Sequence, residues 1–202
     1  MRLYHSPTTP YGRKVMVLLL ETGQAGDVEV VLSGGTPLDP GSQPLDKNPL
    51  GKIPALDLGD GTALYDSRVI CRYLDARAGG ALYPPAPDLW RTLTLEATAD
   101  GILEAALLMV YETRLRPEDI RFGPWVEGQW AKVARALDAL EGRWIDHLNG
   151  PLDMGQIAVA CALSYLDFRH QVRDWRAGHP KLAAWHAAFS ERDSMKVTEP
   201  RG

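Results

Sequence analysis

The sequence lacks the features that mark membrane, metal-binding and disulfide-bonded proteins. No apolar run reaches the roughly 18 residues that a membrane-spanning helix needs, so we expect no membrane span. Only 2 of the 202 residues are cysteine. Both lie in apolar helical patterns, which disfavours a structural disulfide and favours a reducing cytoplasm. The 5 histidines lack the spacing of metal ligands, so we predict no metal.

An excess of positive charge is also absent. The formal net charge is −4, which argues against nucleic acid or an anionic membrane as the main partner. The N-terminal residues lack the apolar segment of a signal peptide. The hydrophobic share of 45% and the charged share of 24% are ordinary for a globular protein. We therefore expect a soluble protein of the cytoplasm.

Strand and helix patterns alternate in the first 79 residues. In chain order they are a short strand at 3–4, a helix at 11–22, a strand at 28–32, a proline-rich loop at 33–51, a hairpin around 59–61 and a helix from 66. A loop of that length usually binds a ligand. The order of the elements predicts a thioredoxin-like α/β domain over residues 1–79.

The remaining patterns are helical. Residues 80–87 are rich in glycine and proline and are predicted to be a linker, followed by an all-α bundle over 88–202. Asp153 and Gln156 form a variant capping box before a helix that is apolar nearly all round. We expect that helix to be the buried centre of the bundle and the 6 tryptophans to lie chiefly in its core.

Two motifs of the first domain suggest a cradle for a small peptide. In the segment 48–54, Pro54 follows a bulky residue at the start of an apolar strand, where a cis peptide bond is tolerated. Such a bond would present the backbone N–H and C=O of Ile53 to another extended peptide. Asp66 and Ser67 open a helix and offer a carboxylate and backbone N–H groups. A peptide with a free carboxylate and a free amine suits this combination.

These motifs resemble the glutathione site of the cytosolic glutathione S-transferase family, in the bacterial type with Ser or Thr at the thiol-facing position. The resemblance extends to the helix start at 153–161 and to the closing segments at 180–185 and 192–196. It implies a cis Ile53–Pro54 bond, with the Ile53 backbone pairing the cysteinyl part of glutathione. Lys52 would meet the glycyl carboxylate, and Asp66 and Ser67 would hold the γ-glutamyl end.

Thr9 and Gly12 stand where glutaredoxin-like proteins carry the two cysteines of Cys-Pro-Tyr-Cys. Without sulfur, thiol–disulfide chemistry at these positions is excluded. A hydroxyl at a helix N-terminus still favours a thiolate by donating a hydrogen bond, so Thr9 is the predicted catalytic residue. Two alternatives stay open: Thr9 only caps the helix, or another group contacts the thiol. Secondary candidates for the site are Ser6, Thr8, Tyr11, Arg13, Asp100 and Tyr111.

The resemblance implies an enzyme that activates the glutathione thiolate for attack on a small, apolar electrophile, a detoxification chemistry, and a cytoplasmic homodimer. The electrophile is expected between the domains, against apolar side chains of the bundle such as Phe122, Trp125 and Met109. Two alternatives remain. The first is a non-catalytic binding or regulatory module of the same fold. The second is a specialised glutathione-dependent isomerase, dehalogenase or lyase. Nothing in the sequence identifies the electrophile.

Overall fold

The chain forms two units, one that contains the sheet and one that is entirely helical. The structure, a computed structural model, describes residues 1–201. One unit consists of Met1–Leu89 together with the residues from Asp193 onward, and the other of Trp90–Arg192. The first contains all four strands, and the second is helical. This is the predicted combination of a thioredoxin-like domain and an all-α bundle, and it is confirmed.

The sheet has the strand order β2-β1-β3-β4. Its strands are β1 (Arg2–His5), β2 (Glu29–Leu32), β3 (Ala55–Asp57) and β4 (Ala63–Leu64). β2 runs parallel to β1, because a helix connects them and returns the chain to the same end of the sheet. β3 is antiparallel to β1, and β4 is antiparallel to β3 through the predicted hairpin. Gly59 and Gly61 of that hairpin have φ values of 88° and 95°, which glycine adopts without strain.

Three helices belong to the first unit: α1 (Pro10–Glu21), α2 (Ser67–Arg77) and the short C-terminal α8 (Asp193–Val197). Pro10 occupies the first turn of α1, where its missing N–H costs nothing. Val15, Leu18 and Leu19 are buried, as the helical spacing predicts. The link after α2 is held by Asp75, which accepts hydrogen bonds from two backbone N–H groups of that link at 2.8 and 3.1 Å.

The second unit is built from α3 (Asp88–Arg114), α4 (Gly123–Ala139), α5 (Ile145–Leu148), α6 (Met154–Arg169) and α7 (Pro180–Ser190). A wider, π-type turn over Leu140–Trp144 joins α4 to α5, a detail that periodicity did not indicate. α6 is buried without interruption from Met154 to Leu163, which confirms it as the central helix. None of the helices within residues 1–201 is long and apolar enough to cross a membrane.

The start of α6 is fixed by a network around Asp153. One carboxylate oxygen accepts from the Gln156 N–H at 2.9 Å, as a helix cap does. The other accepts from the Thr92 hydroxyl at 2.6 Å and lies 2.7 Å from His147 Nε2. The Gln156 amide donates to the carbonyls of His147, Gly150 and Pro151. The predicted capping box is therefore present and extended by side chains of neighbouring elements.

Two features differ from the sequence expectations. Trp90 is 63% exposed, and three other tryptophans are only partly buried, so the tryptophans are less confined to the core than expected. The C-terminal residues from Asp193 associate with the first unit, whereas the sequence assigned them to the bundle. The reason is a non-local contact, since the buried Arg13 guanidinium donates to the Met195 carbonyl at 2.9 Å and to Thr198 at 3.3 Å. Cys71 and Cys161 are both buried, and neither forms a disulfide within residues 1–201.

Candidate active site

The strand register brings the predicted motifs to one edge of the sheet. Tyr4 in β1 lies opposite Ala55 in β3, so the segment that follows β1 and the residues that precede β3 share that edge. Leu56 of β3 lies opposite Leu64 of β4, so the residues that follow β4 reach the same edge. The three segments that contain Thr9, Ile53 and Asp66 therefore meet, although 57 positions separate the first from the last.

Two helices begin at this edge. α1 starts directly after Thr9 and has 12 residues, and α2 starts at Ser67 and has 11. The first N–H groups of a helix have no partner within the helix and carry partial positive charge. The edge therefore offers two sets of backbone donors with a preference for anions.

The Thr9 side chain is not used to cap α1. Thr9 occupies the N-cap position with extended backbone angles, but its side chain makes no capping hydrogen bond. Its N–H donates instead to the Ser6 carbonyl at 3.0 Å. The hydroxyls of Ser6 and Thr8 lie 3.1 Å apart and bond to each other. Of the three hydroxyls, that of Thr9 is the one that forms no hydrogen bond within its own segment.

The rest of this segment is closely packed. His5, at the end of β1, is buried, and burial lowers the pKa of its imidazole to about 4, so the ring is neutral near pH 7. Tyr11 is half-buried in the first turn of α1. The structure directs Arg13 toward Met195 and Thr198 and gives it a structural role there.

The loop before β3 has the predicted cis Ile53–Pro54 peptide bond. Neither the N–H nor the C=O of Ile53 bonds to another backbone group within residues 1–201. The loop is held by Asn48, which is buried and donates to the Lys52 carbonyl at 2.8 Å while accepting from the Leu50 N–H at 3.1 Å. Lys52 itself is exposed. Asn48 was part of the sequence motif, but its supporting role was not predicted.

Asp66 caps α2 and is linked to Arg68. Its carboxylate accepts from the Arg68 N–H at 3.1 Å and from the Arg68 guanidinium at 2.9 Å. Burial opposes ionisation, but this hydrogen bond and charge hold the pKa of the Asp66 carboxyl below its usual value, and the positive charge of Lys14 adds to the effect. Ser67 is buried as the first residue of α2. The carboxylate is therefore ionised near neutral pH.

Several features of this edge were missed in the sequence. The Tyr65–Asp66 bond is a cis peptide without proline, which no sequence signal indicates. Lys14 has no exposed surface, although a lysine on a short helix is usually exposed. The bonds between Arg68 and Asp66 could have been predicted from the sequence, since the two residues lie two positions apart at a helix start.

Two secondary candidates belong to the helical unit. Asp100 is buried on α3, and Tyr111 is half-buried further along the same helix, where burial raises the pKa of its hydroxyl. They belong to the helical unit, whereas the other candidates belong to the unit that contains the sheet. Within residues 1–201, no group of three or more His, Cys, Asp or Glu side chains is arranged to hold a metal ion.

Family models match both parts of the chain. The model for the glutathione S-transferase N-terminal domain matches residues 8–77, and the model for the C-terminal domain matches residues 123–188. The chain belongs to the glutathione S-transferase family. This glutathione S-transferase family member is also 33% identical to the "Uncharacterized GST-like protein YibF" of Escherichia coli, over 99% of this chain and 98% of that protein.

Solved structures of similar glutathione transferases contain glutathione. A family member from Pseudomonas fluorescens Pf-5 with bound glutathione is 48% identical, with a TM-score of 0.97 over 100% of this chain and 99% of that one. A structure with bound S-(propanoic acid)-glutathione, also from Pseudomonas fluorescens Pf-5, has the same identity and a TM-score of 0.93 over the whole of both chains. A glutathione S-transferase from Methylobacillus flagellatus KT with glutathione bound is 40% identical, with a TM-score of 0.89 over 99% of both chains.

Proposed function

We propose that the protein binds glutathione at the sheet edge and activates its thiol for attack on a small electrophile. The observation that carries this proposal is the convergence of Thr9, Ile53 and the Asp66–Ser67 helix start, produced by the register of β1, β3 and β4. The glutathione in the structures from Pseudomonas fluorescens and Methylobacillus flagellatus supports it. The conjugate in a further structure indicates that such proteins also accommodate a substituent on sulfur.

Each part of the tripeptide has a partner in this arrangement. The N–H and C=O of Ile53 pair with the cysteinyl backbone, in the manner of an added strand. The Ser67 hydroxyl and N–H hold the γ-glutamyl carboxylate at the N-terminus of α2. The ionised Asp66 carboxylate attracts the ammonium group of the same residue. Lys52, which is exposed, meets the glycyl carboxylate.

Thr9 then acts on the thiol. A free thiol has a pKa of about 8.5, and each unit of lowering requires about 1.4 kcal/mol of preference for the thiolate. A hydrogen bond from the Thr9 hydroxyl to sulfur, together with the N-terminus of α1, is able to supply that amount. The thiol proton passes to solvent. The sulfur electron pair forms the new C–S bond as the electrophile's leaving group departs with its own electron pair.

From the family we also propose that the protein is a homodimer of the cytoplasm and that it acts in detoxification. The two buried cysteines, which form no disulfide within residues 1–201, are compatible with a reducing compartment. Analytical ultracentrifugation tests the dimer, and a sedimentation coefficient of the monomer at micromolar concentration would contradict it.

Binding to immobilised glutathione, followed by calorimetry, tests the proposal. Ser67→Ala should weaken glutathione binding by roughly tenfold or more, because a hydrogen bond to a charged carboxylate is lost. Ser190→Ala, on α7 in the helical unit, is the matched control and should bind as the wild type. A folded wild-type protein that does not bind glutathione would overturn the proposal. Binding without turnover of aryl halides and other electrophiles would identify a non-catalytic module.

A further inference from the structure

The direction of the Thr9 hydroxyl depends on a single rotation. The backbone of Thr9 is fixed on both sides, because its N–H donates to the Ser6 carbonyl at 3.0 Å and its carbonyl accepts from the Arg13 N–H at 3.1 Å. The freedom that remains is rotation about χ1, which has three staggered positions. Since the hydroxyl and the methyl group share one carbon, this rotation decides which of the two faces the interior.

In the structure the methyl group of Thr9 faces Gly12 and the hydroxyl faces outward. The methyl carbon lies 2.8 Å from the position of a β-carbon built on Gly12. The hydroxyl forms no hydrogen bond within residues 1–201, yet its oxygen is not among the buried atoms that lack a partner. The oxygen therefore reaches the surface, which a donor to a bound sulfur has to do.

The imidazole of His5 fills the space beside this methyl group. Its Nδ1 and Cε1 atoms lie 2.1 and 2.9 Å from the same β-carbon position on Gly12, so the ring and the Thr9 methyl group are close neighbours. The ring is held by the sheet, since the His5 carbonyl accepts from the Ser33 N–H at 2.9 Å and the residue is only 7% exposed. The inner side of Thr9 is therefore packed against a ring.

The protein keeps this imidazole at a cost in stability. Its Nδ1 atom is buried and has no hydrogen-bond partner within residues 1–201. An unpaired buried polar atom destabilises a fold, and an apolar side chain of similar size would avoid that penalty. Burial lowers the pKa of the ring to about 4, so His5 is too weak a base to take the thiol proton. These properties favour a role in packing.

We propose that His5 is a positioning residue for the reaction: its ring packs against the Thr9 methyl group and keeps the Thr9 hydroxyl turned toward the glutathione sulfur. This inference rests on the proposed function, because that function gives Thr9 the contact with the thiol. Without the ring, water would enter the space beside Gly12, where the first N–H groups of α1 lack helical partners. The hydroxyl would then turn inward to bond to that water.

A double-variant cycle on the thiol of bound glutathione tests this inference. The pKa of the thiol is measured from the ultraviolet absorbance of the thiolate in the wild type, in His5→Ala, in Thr9→Val and in the protein with both substitutions. His5→Ala should raise this pKa by about half a unit, which is a roughly threefold loss of thiolate, and Thr9→Val by about one unit. Thr9→Val leaves no hydroxyl to position, so adding His5→Ala to it should have no further effect.

Binding of the tripeptide is measured separately with S-methylglutathione, which has no thiol. Its dissociation constant, determined by calorimetry, should be the same in all four proteins. His5→Val, which removes less volume, replaces His5→Ala in the cycle if that variant does not fold.

Two further variants and a control separate packing from other effects of the substitution. His5→Leu keeps the volume, and His5→Ala/Gly12→Ala fills the same space from the other side, so both should return the thiol pKa toward that of the wild type. His5→Leu should also stabilise the fold, because it removes the unpaired Nδ1. Leu19→Ala opens a cavity near the other end of α1 and should lower stability without changing the thiol pKa.

The outcomes separate this inference from the proposed function. An unchanged thiol pKa in His5→Ala, when Thr9→Val raises it, would overturn the inference and leave the proposed function standing. An equal rise caused by His5→Ala in the wild type and in Thr9→Val would also overturn it, since His5 would then act without Thr9. The same holds if His5→Leu raises the pKa as much as His5→Ala. A wild type that fails to bind glutathione would overturn the proposed function and this inference with it.

Discussion

The Nδ1 atom of His5 occupies the space that a side chain at position 12 would need. A β-carbon built on Gly12 lies 2.1 Å from that nitrogen and 2.8 Å from the Thr9 methyl group. Position 12 is the one that carries the second cysteine in the Cys-Pro-Tyr-Cys motif. In this chain the imidazole at the end of β1 fills that position, so glycine is required by packing. Compared with the Cys-Pro-Tyr-Cys motif, this chain therefore lacks the sulfur atoms and also packs a different side chain, that of His5, into the space at position 12.

Substitution of Gly12 by alanine should be destabilising. In an open helix position, Gly→Ala stabilises a protein by about 1 kcal/mol. At position 12 the collision with His5 should reverse the sign and lower the free energy of unfolding by about 1–3 kcal/mol. Urea denaturation measures the change. Gly101→Ala on α3, where no atom lies within 4 Å of the added carbon, is the control and should stabilise.

The double variant His5→Ala/Gly12→Ala identifies the cause. If the imidazole is the obstacle, adding Gly12→Ala should cost less in the His5→Ala protein than in the wild type, which gives a favourable coupling energy. Additive effects of the two substitutions would show that the collision is relieved in another way.

The stability of the protein should decrease as the pH falls from about 6.5 to about 4. Burial lowers the pKa of His5 to about 4 in the folded state, whereas an unfolded histidine has a pKa of about 6.5. Between these values the unfolded state binds more protons, so acid favours unfolding, by on the order of 3 kcal/mol once the pH is below both. Burial lowers the pKa of His170 as well, which acts in the same direction.

An NMR titration of the imidazole carbon-bound protons tests this pH dependence directly. The signal that disappears in His5→Gln should titrate near pH 4 in the wild type, and urea denaturation at several pH values should give the matching loss of stability. Titration of that signal near pH 6.5 would show that the ring is hydrated in solution.

Loss of the Asp153 carboxylate should destabilise the helical unit. Asp153→Ala removes the cap of α6 and the acceptor of the buried Thr92 hydroxyl and of His147. A cap contributes about 1 kcal/mol, and a buried donor left without an acceptor costs about 1–3 kcal/mol. We expect a total loss of about 2–4 kcal/mol, measured by denaturation. Asp146→Ala, at an exposed position of α5, should have little effect, and an equal loss there would contradict the role of the network.

Thr9→Val should raise the pKa of glutathione bound to the protein. Valine keeps the shape of threonine and removes the hydroxyl, so the thiolate loses a donor while binding of the tripeptide is retained. We expect an increase of about one pKa unit, which corresponds to 1.4 kcal/mol. The ultraviolet absorbance of the thiolate follows this titration, and Thr9→Ser should behave as the wild type. An unchanged pKa in Thr9→Val would assign the contact to Ser6, Thr8 or water.

Arg13→Met should release the C-terminal segment. Its guanidinium is buried and donates to Met195 and Thr198, 182 and 185 positions further along the chain. Amide hydrogen exchange in α8 should therefore accelerate, while exchange in α6 stays unchanged. Arg2→Met removes an exposed ion pair to Glu29 and is the control. Equal protection of α8 in both variants would show that the segment is held by other contacts.

Much of the fold followed from local signals. Pro10 after the first strand marked the start of α1, and the Gly59-Asp60-Gly61 sequence marked the hairpin, because these residues restrict or permit particular backbone angles wherever they occur. The apolar stretch after Asp153 marked the central helix. The candidate positions Thr9, Ile53 and Asp66 were recognisable for the same reason, since each stands at the end of a strand or the start of a helix.

Contacts between distant segments were not predictable in this way. The packing of His5 against Gly12 and the bond from Arg13 to Met195 leave no periodic pattern in the sequence. They depend on which side chains the packing of helices and strands brings together.

The amino-acid sequence by itself determined the two-part architecture and identified the candidate residues of the cradle, because helix caps, turns and apolar periodicity act within a few residues of each other. The tertiary structure decided that these residues meet at one edge, since the pairing of Tyr4 with Ala55 and of Leu56 with Leu64 joins segments far apart in the chain. It also decided that the C-terminal residues from Asp193 join the first unit, because only packing brings the Arg13 guanidinium to the Met195 carbonyl.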